Sequence, residues 1–143
     1  MSNYLIAKCT QDGNASEIAI PYNNIASASE SESQEATRIQ LKEAAGNVGS
    51  YLVDKSLGDV ISGLRSKGIL TAIFSAEAPA AGYDRFAVPL NNIASFQSAL
   101  QQDYRTVNLK QAATQATQYK TQLSVNEINE KITMTKKLYS HDV

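Results

Sequence analysis

One cysteine, one histidine, three prolines and no tryptophan in 143 residues leave little material for chemistry. The lone thiol, Cys9, cannot close an intramolecular disulfide, which fits a reducing compartment. It sits in an alternating segment on the side of Leu5 and Ala7, where a cysteine acts as a small buried hydrophobe rather than a nucleophile. His141 lies close to the end of the sequence, where chains fray, and makes a poor general base or metal ligand. Gly-x-Gly-x-x-Gly, the Walker-type lysine loop, His-Glu-x-x-His and Cys-x-x-Cys are all missing, so nucleotide and zinc chemistry lose their usual signatures. The carboxylates Glu43, Asp84, Asp103 and Glu127 are scattered and form no close acid/base pair in sequence. The reading is a non-enzyme with no cofactor, no metal and no small-molecule ligand.

Charge of one sign is also lacking. With 13 basic and 14 acidic residues the formal net charge is −1, so no global field draws in nucleic acid or an anionic membrane. Lys131, Lys136 and Lys137 form the only basic cluster and suit the C-terminal end of a helix. No stretch approaches the roughly 18 apolar residues of a membrane span. The opening residues, Met1 to Cys9, lack the basic start and long apolar run of a signal peptide, so cytoplasmic synthesis is expected.

What is present is a sequence that matches itself at an offset of 68 residues, from Asn23 to Asn91. Ala19-Ile-Pro-Tyr-Asn-Asn-Ile-Ala-Ser27 returns as Ala87-Val-Pro-Leu-Asn-Asn-Ile-Ala-Ser95, and Ile39 to Ala45 returns in the same register as Val107 to Ala113. Tyr51 then falls on Tyr119 and Ser56 on Ser124. Two ungapped blocks in one register predict a tandem duplication, residues 1–68 and 69–143. At this size each copy alone would be marginal, so the two are expected to share a core as one compact domain, related by a pseudo-two-fold axis.

Each copy checks the reading of the other. Ile69 to Ser75 and Arg85 to Pro89 predict a hairpin, repeated as Tyr4 to Thr10 and Glu17 to Pro21 around an Asp-Gly turn. Asn92 reads as a helix cap followed by the stripe Ile93, Phe96, Leu100 and Tyr104, a helix over 93–103. A strand at Thr106 to Lys110, matched by Arg38 to Lys42, comes next. Ser124 with Glu127 is a capping box ahead of Val125, Ile128 and Ile132; Ser56 with Asp59 precedes Leu57, Val60, Ile61 and Leu64, with Gly68 as the stop. The fold class expected is α+β, a duplicated β-β-α-β-α unit.

The copies differ most after the asparagine pair. Phe96, Leu100 and Tyr104 become Ala28, Glu32 and Ala36, inside the Ser/Glu segment 27–35. At about 1.5–3 kcal/mol per large apolar side chain buried, that segment loses most of its reason to dock as a helix. It reads as a solvated stretch or as a segment that orders against a partner, with Glu30, Glu32 and Glu35 as the candidate contact residues. Pro21, Asn23, Asn24, Pro89, Asn91 and Asn92 have structural duties instead: proline ends the strand, the first asparagine takes turn geometry, the second caps. Paired ligand sites at these motifs are the competing reading.

The function expected is a structural or assembly protein, a subunit of a larger homo-oligomer of the kind found in virion-like (phage) particles. Its partners would be its own copies and other assembly proteins, with no nucleic acid and no membrane. The alternatives are an intracellular binding or inhibitor module, using the cleft between copies or segment 27–35, and an enzyme with an unrecognised site.

Overall fold

A computed structural model describes residues 3–11, 14–31, 36–76, 83–98, 104–114 and 117–139. Among these residues, ten strands and two α-helices make a mostly β arrangement of the α+β class. The chain opens with a hairpin, β1 (Tyr4–Gln11) and β2 (Asn14–Pro21), in register from Tyr4 opposite Pro21 to Gln11 opposite Asn14. Leu5, Ala7 and Cys9 turn inward from β1 while Tyr4, Ile6 and Lys8 face out, the two-residue alternation of a strand with one covered face. A single 3-10 turn (Tyr22–Asn24) leads into β3 (Ile25–Ser31), followed by β4 (Thr37–Ala45) and β5 (Val48–Val53). Helix α1 (Leu57–Ser66) closes this half.

The second half runs in the same order: β6 (Thr71–Ser75), β7 (Tyr83–Pro89), a 3-10 turn (Leu90–Asn92), β8 (Ile93–Ser98), β9 (Arg105–Leu109), β10 (Gln118–Thr121) and α2 (Val125–Tyr139). Registers recur with it. Ile25 faces Leu41 and, after a bulge, Ser27 faces Gln40; Ile93 faces Leu109 and, after a bulge, Ser95 faces Asn108. Ile39 faces Tyr51 just as Val107 faces Tyr119.

Seven strands are ordered β2-β1-β5-β4-β3-β7-β6 and three are ordered β10-β9-β8. An isolated bridge, Ala76 to Thr121, joins β6 to β10, supported by the Thr121 hydroxyl donating to the Ser75 carbonyl at 2.6 Å. Among the described residues the outermost strands of the array are therefore β2 and β8. Two buried clusters lie on it. Leu5, Ile20, Ile25, Ile39, Leu41 and Val53 pack with the α1 stripe Leu57, Val60, Ile61 and Leu64; Phe74, Phe86, Val88, Val107 and Tyr119 pack with Ile128 of α2. Ala87 of the second half belongs to the first cluster, and Ile73 packs against it, so the cores interlock.

Both helix caps form as the sequence predicts. Asp59 N–H donates to Ser56 Oγ at 3.1 Å, and α1 ends where Gly68, at φ +76, donates its N–H to the Arg65 carbonyl. At α2, Ser124 N–H donates to Glu127 Oε1 at 3.0 Å and Glu127 N–H to Ser124 Oγ at 3.1 Å. Donation from Ser124, chiefly its backbone N–H, lowers the Glu127 carboxyl from its ordinary value.

Three expectations are corrected. Residues 93–98 form strand β8, not the start of a helix, because β9 offers Val107 and Leu109 as buried partners and the ladder outweighs the weak 3.6-residue stripe; the remainder of that stripe, 99–103, lies outside the described residues. Residues 25–31 are not a solvated stretch either. They form β3, flanked by β4 and β7, and residues 25–30 are buried on both faces, so small side chains are what the position admits. Strands β5 and β10 replace what reads in sequence as a connection. The repeating order is thus β-β-β-β-β-α rather than β-β-α-β-α. The Asp-Gly turn falls outside the described residues.

Candidate functional site

The two Pro-x-Asn-Asn motifs adopt one backbone shape. Pro21 has φ −58 and ψ 130, Pro89 φ −57 and ψ 133, and the isoleucines that follow, Ile25 and Ile93, donate back to the Tyr22 and Leu90 carbonyls. Neither second asparagine caps a helix. Asn24 Nδ2 donates to the Glu43 carbonyl and its Oδ1 accepts from Glu43 N–H, both at 3.0 Å. Asn92 does the same to Gln111, again at 3.0 Å, and its Nδ2 also donates to the Ala26 carbonyl at 3.0 Å. Each amide thus mimics a rung of backbone pairing at the bulge, and Asn92 additionally ties the second half to the first. Asn23 and Asn91 are exposed. They line open pockets of about 580 and 430 Å³, the first with Lys67 and the second with Lys136. One lysine and one exposed asparagine are too little to fix a ligand's orientation.

The seam between the halves, where the alternative reading of a binding module places a cleft, is filled. Tyr119 on β10 reaches across to β3 and β4, where its hydroxyl bonds Ser27 Oγ at 2.6 Å and accepts from Gln40 Nε2 at 3.0 Å. Thr114 Oγ1 donates to Gln40 Oε1 at 2.8 Å, and the Ala113 N–H donates to the Leu41 carbonyl at 2.7 Å. The Tyr119 ring stacks on Phe86 with centroids 4.4 Å apart. Burial pushes the Tyr119 hydroxyl above its ordinary value, so it stays neutral as a hydrogen-bonding hub.

Of the candidate contact residues, Glu30 is held inward. Its side chain is 5% exposed and receives Arg85 Nε at 2.6 Å, an ion pair that crosses the β3·β7 ladder. Glu32 and Glu35 lie outside the described residues. Cys9 is buried, in keeping with the reading of a small hydrophobe. Among the described residues no cluster of three or more His, Cys, Asp or Glu side chains could hold a metal ion, and no helix is long and apolar enough to cross a membrane.

What sequence reasoning missed is that β2 and β8 are the outer strands. β2 and β8 present backbone edges with no ladder partner among the described residues. β8, Ile-Ala-Ser-Phe-Gln-Ser, carries no charge, proline or glycine. The available signal was its counterpart Ile-Ala-Ser-Ala-Ser-Glu-Ser, a poor helix former that makes sense only as a strand. Compared with known protein families, with curated proteins and with solved structures, the chain finds no match.

Proposed function

We propose that the chain is a non-enzymatic building block that assembles with its own copies, and that it arose by tandem duplication of a unit spanning about 1–68 and 69–143. The observation that carries this reading is the unguarded edge of β8. Soluble proteins blunt edge strands with lysine, proline or a covering element, because a bare uncharged edge templates pairing with another chain. β8 has no lysine and no proline, and although α2 packs on it and a bulge interrupts its ladder with β9, no strand pairs with its outer edge among the described residues. The recurrence of registers at a fixed offset supports the duplication. Other assembly proteins are further partners under this reading; a virion-like particle was one setting that the sequence suggested, and the fold adds no support to it. Sedimentation velocity over a concentration series is the test: defined oligomers are expected, and a single monomeric species at every concentration would refute self-assembly.

A further inference from the structure

The ladder that joins the two halves is made once, and the chain carries an unused counterpart for each of its parts. β3 pairs with β7, Ala28 opposite Ala87 and Ser29 opposite Phe86. The counterpart of β3 at the recurring offset is β8, and that of β7 is β2, the two outer strands. Under a closed two-fold, the operation that sets β7 on β3 would also set β2 on β8 in the same molecule. No such ladder forms among the described residues, so the halves are joined head to tail and the expected two-fold does not hold.

The side chains repeat the pattern. At the internal seam α1 lies against β3, β6 and β7, Arg65 donates to the Thr71 carbonyl, and Ile73 packs on the first cluster. Hairpin register makes Tyr4 the counterpart of Thr71 and Ile6 that of Ile73. Thr71 is fully buried, whereas Tyr4 and Ile6 are 49% and 51% exposed. Ala87 is buried; its counterpart Ala19 is exposed. The α1 stripe is wholly buried, but of the α2 stripe only Ile128 is, with Val125 and Ile132 partly covered. Ser27 and Gln40 receive Tyr119. Among the described residues their counterparts Ser95 and Asn108 bond each other at 2.9 Å on an exposed surface, and Tyr51, counterpart of Tyr119, stands beside a slot of about 70 Å³.

We propose that a second copy of this chain completes the seam: β8 of one molecule pairs antiparallel with β2 of the next, Phe96 opposite Ala19 and Gln97 opposite Ile18. In that arrangement α2 covers the Tyr4 and Ile6 face, and Tyr51 meets Ser95 and Asn108. This rests on the self-assembly reading and specifies its geometry. The contact is heterologous, so copies add head to tail and close into a ring or extend as a filament. Its charge content differs from the internal seam, because Glu30 and Arg85 correspond to Ser98 and Glu17. Association therefore tolerates salt.

The whole chain is tested by sedimentation velocity with Gln97→Lys and Ile6→Lys, both at exposed positions, and by oxidation of Ile18→Cys/Gln97→Cys in a Cys9→Ala background. Unchanged thermal unfolding of the dilute lysine variants verifies that they fold. The expected result is a covalent ladder of dimers and higher species, with each lysine weakening association by about tenfold or more. A disulfide confined to single chains would mean that the edges close within one molecule and would overturn the proposal. Oligomers that persist in both lysine variants without cross-linking would overturn this geometry while leaving self-assembly intact. Monomers at every concentration would overturn both.

Discussion

β3 and β8 begin with the same three residues, Ile-Ala-Ser, share a bulge at the same point and face equivalent partners, yet one is buried on both faces and the other is an edge. The more apolar of the two is the more exposed: β8 carries Phe96 where β3 carries Ala28. Local composition thus does not decide burial here. What decides it is whether a second strand arrives, and β7 arrives only at β3. Small side chains in β3 follow from that crowding, since α1 packs on one side of it and Tyr119 reaches it from the other.

The comparison breaks most visibly at the aromatics. Phe86 is fully buried between Phe74, at 5.3 Å, and Tyr119, so Phe86→Ala is expected to cost about 3–5 kcal/mol in urea unfolding. Phe96→Ala, on the edge strand, is expected to cost only about 1–2 kcal/mol, because its ring is partly covered. Equal losses would mean that β8 is as enclosed as β7.

Next come the two asparagines. Asn92→Ala removes three hydrogen bonds in a buried setting, one of them to the first half, and is expected to lower stability by about 2–3 kcal/mol. Asn24→Ala removes two in an exposed setting and should cost about 1 kcal/mol. A reversed order, measured under the same conditions, would show that the tie to Ala26 contributes nothing.

Tyr119 tests the seam. Tyr119→Phe leaves Ser27 and Gln40 without their shared partner and should cost about 1–3 kcal/mol, against near zero for Tyr51→Phe. The pH dependence has a definite sign. With its folded value raised above 10.0, Tyr119 contributes stability that is complete below that pH and is lost as pH rises through the folded value. Alkaline unfolding followed by tyrosinate absorbance should therefore begin above pH 10.0 in the native protein, with a shallower fall in Tyr119→Phe.

The smallest effect is expected at the ion pair. Glu30→Gln keeps the shape and loses the charge opposite Arg85, which is 49% exposed, so a loss of about 1 kcal/mol or less is expected, shrinking further in high salt. A larger loss would mark Glu30 as a pillar of the β3·β7 ladder.

Both helices and their caps were legible in the sequence because capping is local: Ser56 with Asp59 and Ser124 with Glu127 act within one turn of chain. The two hairpins, β1 with β2 and β6 with β7, were legible too, since each is bounded by turn residues and pairs neighbours in sequence. The candidate site was not. Asn92 looked like a helix cap because its actual partners, Gln111 and Ala26, are distant in sequence and invisible to local pattern. The Ser/Glu stretch looked solvated because burial of small and charged side chains needs a neighbour that no window contains, here Arg85 from β7.

By itself, then, the sequence determined the recurrence of its motifs, the hairpins, the helix termini and the scarcity of groups for chemistry. These rest on contacts between residues close in the chain, or on composition. Tertiary structure alone decided that β3 is central and β8 an edge, that Tyr119 fills the seam, and that β2 and β8 end the array among the described residues. The physical reason is that backbone pairing is indifferent to sequence: any strand can join any other, and which edges meet is fixed by how the interlocked cores and α1 set one half on the other.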